Sequence, residues 1–176
     1  MESIRLKARA KINLGLDVIG RRENGYHDVR MVMQTVGLYD RIIMTRIPEK
    51  EIRIKTNIGF LPVNENNLVY KAIMLMKSKY KLDGGIEVDL NKFIPVAAGM
   101  AGGSSDAASA LFGMNRLYEL NLPIGELMNI GVEIGADVPY CIMRGTALAE
   151  GIGEKLTRLP DLSLIHISEP TRLLSI

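Results

Sequence analysis

The chain has 176 residues, of which 47% are hydrophobic and 24% are charged, and its formal net charge is +2. This length and composition suit one globular domain with a buried core and exclude a disordered tail. The basic residues are scattered, so nucleic acid is not the expected partner. The single cysteine excludes an internal disulfide, no Cys/His cluster has metal-ligand spacing, and no metal ligand is assigned. No leader or apolar run of about 20 residues is found, which predicts a cytoplasmic protein without membrane contact.

The opening of the chain alternates between apolar and polar residues. Every even position from Ile4 to Val18 is apolar, which is the period of a β-strand. The alternation places Lys11 and Asn13 on one face, away from the core. An Asn-Gly turn signal follows at 24–25. Three further strand-like segments are predicted, at 29–36, 40–47 and 51–57.

Helical and strand patterns alternate in the remainder of the chain. In chain order they predict a helix at 68–83, a strand at 85–94, a helix at about 104–120, a helix at 123–135 and a hairpin at 144–159. These elements favour an α+β lobe, with three helices packed on a twisted mixed or antiparallel sheet.

A glycine-rich stretch, "IPVAAGMAGGSSDAASA" at 94–110, separates the predicted strand at 85–94 from the second predicted helix. Glycines allow positive φ and close approach to a ligand, and a helix N-terminus offers unpaired N–H groups, a combination that binds phosphate. At the helix start, Ser104 and Ser105 are placed to cap the helix or to contact phosphate oxygens or Mg²⁺, and Asp106 is expected to face metal or solvent. The alternative is a glycine-rich turn with a serine cap and no ligand.

Two familiar nucleotide motifs do not fit the glycine stretch. A P-loop requires lysine directly after the glycines, but Ser104 follows Gly102-Gly103. A dinucleotide fingerprint requires G-x-G-x-x-G, and the glycine intervals here are different.

Three stretches together resemble one kinase family. They are "KARAKINLGLDVIGRRENGYHDV", "PVAAGMAGGSSDAASALFGMNRLY" and "GADVPYCIMRGTALAEGIGE". They are similar, in the same order and over about residues 4–162, to the 4-diphosphocytidyl-2-C-methyl-D-erythritol kinases. That family belongs to the GHMP superfamily, named for galactokinase, homoserine kinase, mevalonate kinase and phosphomevalonate kinase. Met100 and Ala101 stand where the superfamily loop commonly has Leu and Gly.

The resemblance implies a fold, a reaction and cofactors. The fold would be the N-terminal lobe of a GHMP kinase, which is similar to domain 2 of ribosomal protein S5. The reaction would move the γ-phosphoryl group of ATP, with Mg²⁺, to a hydroxyl of a methylerythritol linked to cytidine diphosphate. This small molecule, the implied partner, belongs to the non-mevalonate isoprenoid route.

The resemblance also implies site residues. Lys11 and Asp137 would be the catalytic pair, and Asn13, Tyr26 and His27 would lie near the substrate. The residues that would hold the ATP phosphates are Pro95, Val96, Ala97, Ala98, Gly99, Met100, Ala101, Gly102, Gly103, Ser104 and Ser105.

The implied pair makes chemical sense, because phosphoryl transfer needs an acceptor for the substrate's hydroxyl proton and a positive charge near it. Asp137 suits the first role. Lys11 would lower the pKa of the hydroxyl or keep Asp137 ionised. Taken alone, Lys11 would be a solvated strand residue and Asp137 a helix cap, and it is their occurrence with the loop that favours catalysis.

The similarity stops after Leu162. We therefore expect an ATP-binding domain at 1–162 and a non-native tail at 163–176, with the second lobe of the family missing. A lobe without its partner would expose an apolar face that favours dimerisation or aggregation, with little or no turnover. Two other functions stay open: a non-catalytic nucleotide-binding or anion-binding module, and another GHMP kinase, acting on mevalonate or homoserine.

Overall fold

The computed structural model describes residues 2–21, 25 and 27–162. The predicted tail at 163–176 lies outside these residues. Ten elements occur in chain order: β1 (Ser3–Arg21), β2 (His27–Ile47), β3 (Ile52–Thr56), α1 (Leu68–Tyr80), β4 (Gly85–Asn91), α2 (Gly102–Leu117), α3 (Ile124–Val132), α4 (Val138–Met143), β5 (Thr146–Gly151) and β6 (Lys155–Arg158).

The six strands form one mixed sheet around the long strand β2. Along one edge β2 pairs antiparallel with β1, and along the other edge it pairs antiparallel with β5 through its first part and with β4 through its last part. The outer strand β3 runs parallel to β4, and β6 runs antiparallel to β5. The predicted mixed sheet is confirmed, but two of its predicted segments, 29–36 and 40–47, are one continuous strand.

Helices cover one face of the sheet and form the core with it. The predicted apolar face of α2 is buried through Ala107, Ala108, Leu111 and Met114. Close packing on the sheet requires glycine at position 113, because a Cβ there would overlap the sulfur of Met44. The prediction of three helices is wrong by one: the short α4 has six residues, too few to show helical periodicity.

The strand β1 packs on the core only in its first half. Ala8 and Ala10 are fully buried, as the alternation predicts. The later apolar residues of the same pattern are 37% to 60% exposed: Ile12, Leu14, Leu16 and Val18. The predicted exposed apolar face is therefore present, while dimerisation through it stays a prediction.

None of the helices in the described part of the chain has the length and hydrophobicity needed to span a bilayer.

Candidate active site

The glycine stretch forms a loop between β4 and the N-terminus of α2, and its backbone turns sharply. Ala97, Gly99 and Ala101 have φ of 59°, 72° and 54°, all in the left-handed region. The loop is fixed to β1 because the Lys11 N–H donates to the carbonyl of Met100 at 3.1 Å. The alternating left-handed residues allow the chain to enter α2 with its first N–H groups directed out of the helix end.

A cavity of about 420 Å³ lies above this loop. Its lining includes every residue from Pro95 to Ser104, together with Asp137. Two helix N-termini lie at this cavity, since Asn67 and Leu68 at the start of α1 also line it. A helix N-terminus carries partial positive charge, and this suits a polyanionic ligand such as a nucleotide phosphate chain.

The cavity also has an apolar wall, formed by Leu61, Pro62 and Leu68. Asn67 holds this wall, because its side chain accepts from the Val69 N–H at 2.8 Å and donates to the Pro62 carbonyl at 2.7 Å. An apolar wall beside a polar phosphate end matches the two parts of a nucleotide.

Asp137 precedes α4 as its N-cap residue, but its side chain makes no capping hydrogen bond. The side chain is partly exposed and lines the cavity. Although Asp137 takes the helix-cap position expected from the sequence, its carboxylate is available to a ligand rather than to the helix.

Lys11 is buried, with only 5% of its surface exposed. The alternation of β1 had placed Lys11 on the solvated face, and this prediction is wrong because the glycine loop crosses the strand at this point. Pairing is also irregular here: Arg9 pairs with Tyr39, whereas Lys11 pairs with Thr35. The Lys11 ammonium donates to the side-chain oxygen of Asn13 at 3.0 Å.

A pair of hydroxyls joins the strand of Lys11 to the helix of Asp137. Thr35, the pairing partner of Lys11, lies 3.1 Å from the hydroxyl of Tyr140 on α4. The Tyr140 hydroxyl also donates to the Gly145 carbonyl at 2.7 Å, so its position is fixed. This contact holds α4 against β1 and β2.

Cys141, also on α4, lies within the electrostatic reach of both predicted catalytic residues. The pKa of its thiol is raised to about 12, mainly by burial and in part by Asp137, while Lys11 acts in the opposite direction. The two charges thus act on one buried thiol, although Lys11, unlike Asp137, does not belong to the lining of the cavity.

The serine pair divides into two environments. Ser104 lines the cavity. The Ser105 hydroxyl is buried and donates to the Arg9 carbonyl at 2.6 Å, so it joins α2 to β1 rather than pointing at the cavity. Because this hydroxyl is bound to Arg9, the position of the Ser105 side chain does not support the predicted contact with phosphate, which stays a prediction.

Asp106 faces neither solvent nor an obvious metal site, which corrects the expectation from the sequence. Its carboxylate is 3% exposed and accepts from the Lys92 ammonium at 2.6 Å. The same ammonium contacts Asp40, whose other oxygen accepts the N–H groups of Phe93 and Ile94 at 2.5 and 2.8 Å. This buried ionic cluster, Asp40–Lys92–Asp106, lies below the loop.

The sequence analysis did not identify Lys92 or Asp40, although the alternation of buried positions in their strands indicates both. In β4 the even positions face the core, and Lys92 continues that series after Leu90. In β2 Asp40 likewise precedes the buried Ile42 on the same face. A charged residue in phase with buried apolar residues indicates a buried ion pair.

Asn13 and His27, which the sequence predicts to lie near the substrate, are found in different parts of the sheet. Asn13 contacts Lys11, as described. His27 begins β2 and pairs with Arg21, eight residues along the strand from Thr35, which corresponds to about 26 Å of extended chain. His27 is exposed there, away from the loop and Asp137. Tyr26 lies outside the described residues.

Comparison with known proteins gives the family. Residues 67–145 match the family model described as GHMP kinases N terminal domain. A protein of Lachnospira eligens named 4-diphosphocytidyl-2-C-methyl-D-erythritol kinase is 92% identical over 167 residues, which cover 95% of this chain and 58% of that protein. The chain belongs to this kinase family.

Two other members of the 4-diphosphocytidyl-2-C-methyl-D-erythritol kinase family agree. The kinase of Lachnoclostridium phytofermentans is 61% identical over 160 residues, covering 91% of this chain and 55% of that protein. A crystal structure titled as 4-(cytidine 5'-diphospho)-2C-methyl-D-erythritol kinase matches with a TM-score of 0.77 and 35% identity, over 89% of this chain and 55% of that one. The chain thus spans a little over half the length of the curated relatives it matches, and it has the N-terminal fold of GHMP kinases.

The donor set at the cavity fits a magnesium ion that is held mainly by a nucleotide. Among the described residues no group of three or more His, Cys, Asp or Glu side chains forms a metal cluster. Mg²⁺ is usually bound by one or two protein oxygens together with substrate phosphates. Ser104 on the lining would supply one such oxygen.

Proposed function

We propose that this chain binds ATP at the glycine loop and supplies the Lys11–Asp137 pair for phosphoryl transfer to a hydroxyl of 4-diphosphocytidyl-2-C-methyl-D-erythritol. The observation that carries the proposal is the cavity itself: the full loop from Pro95 to Ser104, two helix N-termini and the uncapped carboxylate of Asp137 surround one space. The named relatives support the choice of substrate. A cytoplasmic location is part of the same proposal.

The roles follow from charge and position. The β- and γ-phosphates lie against the N–H groups of the loop and α2, with the adenosine against the wall of Leu61, Pro62 and Leu68. Mg²⁺ would be held mainly by the phosphates, with Ser104 as an oxygen donor from the protein, and would neutralise phosphate charge.

In the transfer step the substrate hydroxyl oxygen forms a bond to the γ-phosphorus, and the bond from that phosphorus to the bridging oxygen of ADP breaks. Asp137 accepts the hydroxyl proton. The buried Lys11 ammonium stabilises the negative charge that develops on the hydroxyl oxygen. Asn13 orients Lys11 through their 3.0 Å hydrogen bond.

Nucleotide binding is tested by charge at the loop, using Gly103→Glu and its matched control Gly103→Gln. A Cβ at position 103 would make only an ordinary 3.4 Å contact with Leu68, and because Glu and Gln are equal in size, any steric effect is common to both variants. A negative charge at a helix N-terminus favours the helix but repels phosphate. We expect calorimetry with the 176-residue chain to show that Gly103→Glu weakens ADP binding at least tenfold more than Gly103→Gln. Equal affinities would contradict phosphate binding at this loop.

Catalysis is tested separately by ATP consumption that depends on the CDP-linked substrate. Asp137→Asn keeps the size of the side chain and, because Asp137 makes no capping bond, leaves the helix intact. We expect the variant to retain ADP binding and to lose whatever turnover the parent chain has.

A second candidate is a non-catalytic nucleotide-binding chain, favoured because the cavity lining contains the glycine loop and Asp137 but not Lys11. ADP binding that is insensitive to CDP, with no ATP consumption, would select this candidate.

A further inference from the structure

The face of the sheet that turns away from the helices carries a row of cations. The even residues in the first half of β1 pack on the core, so Arg5, Lys7 and Arg9 point to the other side at intervals of about 6.8 Å. On β2 the buried Ile42 places Arg41 on that same side, directly opposite Lys7 in the antiparallel pairing. These four cations, the basic row, are spread along the sequence, and only the strand register brings them together.

No carboxylate neutralises the basic row within the part of the chain that the structure describes. None of its members takes part in an ion pair there. On the neighbouring β4, Glu87 lies 3.0 Å from the Lys55 ammonium. Asp89 accepts from the Asn91 amide at 2.9 Å. Unpaired positive charge collected on one face is typical of a surface that binds a polyanion.

The cations of the row lie close enough to repel one another. Like charges directly opposite each other, as Lys7 and Arg41 are, destabilise an antiparallel pair. At the edge of β1 a further guanidinium, that of Arg144, donates to the Lys7 carbonyl at 3.3 Å. Burial lowers the pKa of Arg144, and the nearby charge of Arg9 lowers it further. The fold thus tolerates an electrostatic cost on this face, which an anionic ligand would remove.

A cavity of about 450 Å³ with aromatic walls lies beside the basic row. The residues that line it are Gly37, Leu38, Tyr39, Arg41 and Phe93. Phe93 is 51% exposed, and the Arg41 guanidinium lies 5.1 Å from the centre of its ring. The Lys7 ammonium lies 4.7 Å from the centre of the Tyr39 ring. A nucleobase stacks both on aromatic rings and on the plane of a guanidinium group.

We propose that this face binds single-stranded nucleic acid, with the phosphates along the basic row and a base in the cavity between Tyr39 and Phe93. Cations beside aromatic rings on an open surface match a chain that joins phosphates to unpaired bases. An acidic protein segment would satisfy the cations alone. The inference does not rest on the proposed function, because none of the described residues that line this cavity also lines the cavity at the glycine loop.

The test is fluorescence anisotropy of a labelled oligouridylate of about 10 nucleotides, titrated with the 176-residue chain. ADP is present in excess, so that the glycine loop is not available to the oligonucleotide. Four phosphate contacts on a single strand predict that log Kd rises with the logarithm of the salt concentration with a slope of about 2.8. We therefore expect binding to weaken about 50-fold between about 50 and 200 mM KCl.

The test variant is Arg41→Glu, and its matched control is Lys71→Glu. Arg41→Glu places opposite charges across the β1–β2 pair, so the fold is expected to be kept. Lys71 is exposed on α1, on the side of the helices, and its replacement changes the net charge equally. At the lower salt concentration we expect Arg41→Glu to weaken binding at least about tenfold and Lys71→Glu less than about threefold, with the slope lowered to about 2 only in Arg41→Glu.

The contribution of the bases is tested with Phe93→Ala, which removes a ring and no charge. We expect this variant to weaken binding at least about fivefold without a change in the salt slope.

Four results overturn the inference. They are the absence of oligonucleotide binding at the lower salt concentration, equal affinities of Arg41→Glu and the parent chain, equal weakening in Lys71→Glu, and displacement of the oligonucleotide by polyglutamate at the same concentration of charge. The last result would assign the face to acidic protein segments. If Arg41→Glu does not fold, the salt slope of the parent chain and the affinity of Phe93→Ala decide. ADP binding measured alone tests the proposed function separately, and its absence leaves this inference standing.

Discussion

Replacing Lys92 with methionine removes the one positive charge that Asp40 and Asp106 share. Methionine has a similar length, so the change leaves little cavity and the effect is mainly electrostatic. The side chains are at most 4% exposed, and breaking a buried pair in this way costs about 3 to 5 kcal/mol. For a chain of this size that corresponds to a fall in Tm of about 6 to 20 °C.

The matched control is Lys55→Met, which breaks an ion pair of the same kind at the surface. Lys55 lies 3.0 Å from Glu87, but their side chains are 67% and 34% exposed. Such pairs contribute at most about 1 kcal/mol. The free energies of unfolding of both variants and of the parent chain are measured in urea at pH 7, with circular dichroism as the signal. If Lys92→Met costs no more than Lys55→Met, the Asp40–Lys92–Asp106 cluster does not stabilise the fold and the reasoning fails.

Three further predictions concern the loop and the fold. Ala101→Gly is expected to stabilise the chain by about 0.5 to 1 kcal/mol, because Ala101 has φ of 54°, a left-handed conformation that glycine adopts without strain. If urea unfolding shows a loss of stability instead, the backbone at residue 101 is unstrained. Gly85→Ala is expected to lower the free energy of unfolding by at least about 2 kcal/mol, because the new Cβ would overlap the Glu51 carbonyl. Its control is Gly37→Ala, where a Cβ has no atom within 4 Å and the expected change is less than about 0.5 kcal/mol. Similar values for the two variants would contradict the packing at β4. The difference in free energy of unfolding between the parent chain and Asp106→Asn is expected to change with pH. The parent chain loses stability relative to the variant from about pH 4 to about pH 8, and the difference then levels off. The reason is that the folded state keeps the Asp106 proton to about pH 8, while the unfolded state loses it near pH 4. Unfolding at pH 5, 6.5 and 8 measures this slope, and a relative stability that rises with pH would mean that Lys92 keeps Asp106 ionised.

Local patterns in the sequence were sufficient for most of the fold. Period-two alternation predicted β1 and β4, and helical spacing predicted α1 and α2. These patterns work because alternation and helical spacing express which side of an element is buried, a property that neighbouring residues share. The glycine stretch between β4 and α2 was likewise readable, since a turn of this kind depends on a few adjacent residues.

The sequence by itself therefore determined the elements, the glycine loop and, through three motifs, the family. Only the tertiary structure decided the environment of single side chains. Lys11 is buried because a distant loop crosses its strand, and Asp106 meets Lys92 and Asp40 because β2, β4 and α2 pack together at one place. Sheet register and packing join residues that are far apart in the chain, and no local period reports which charges they bring into contact.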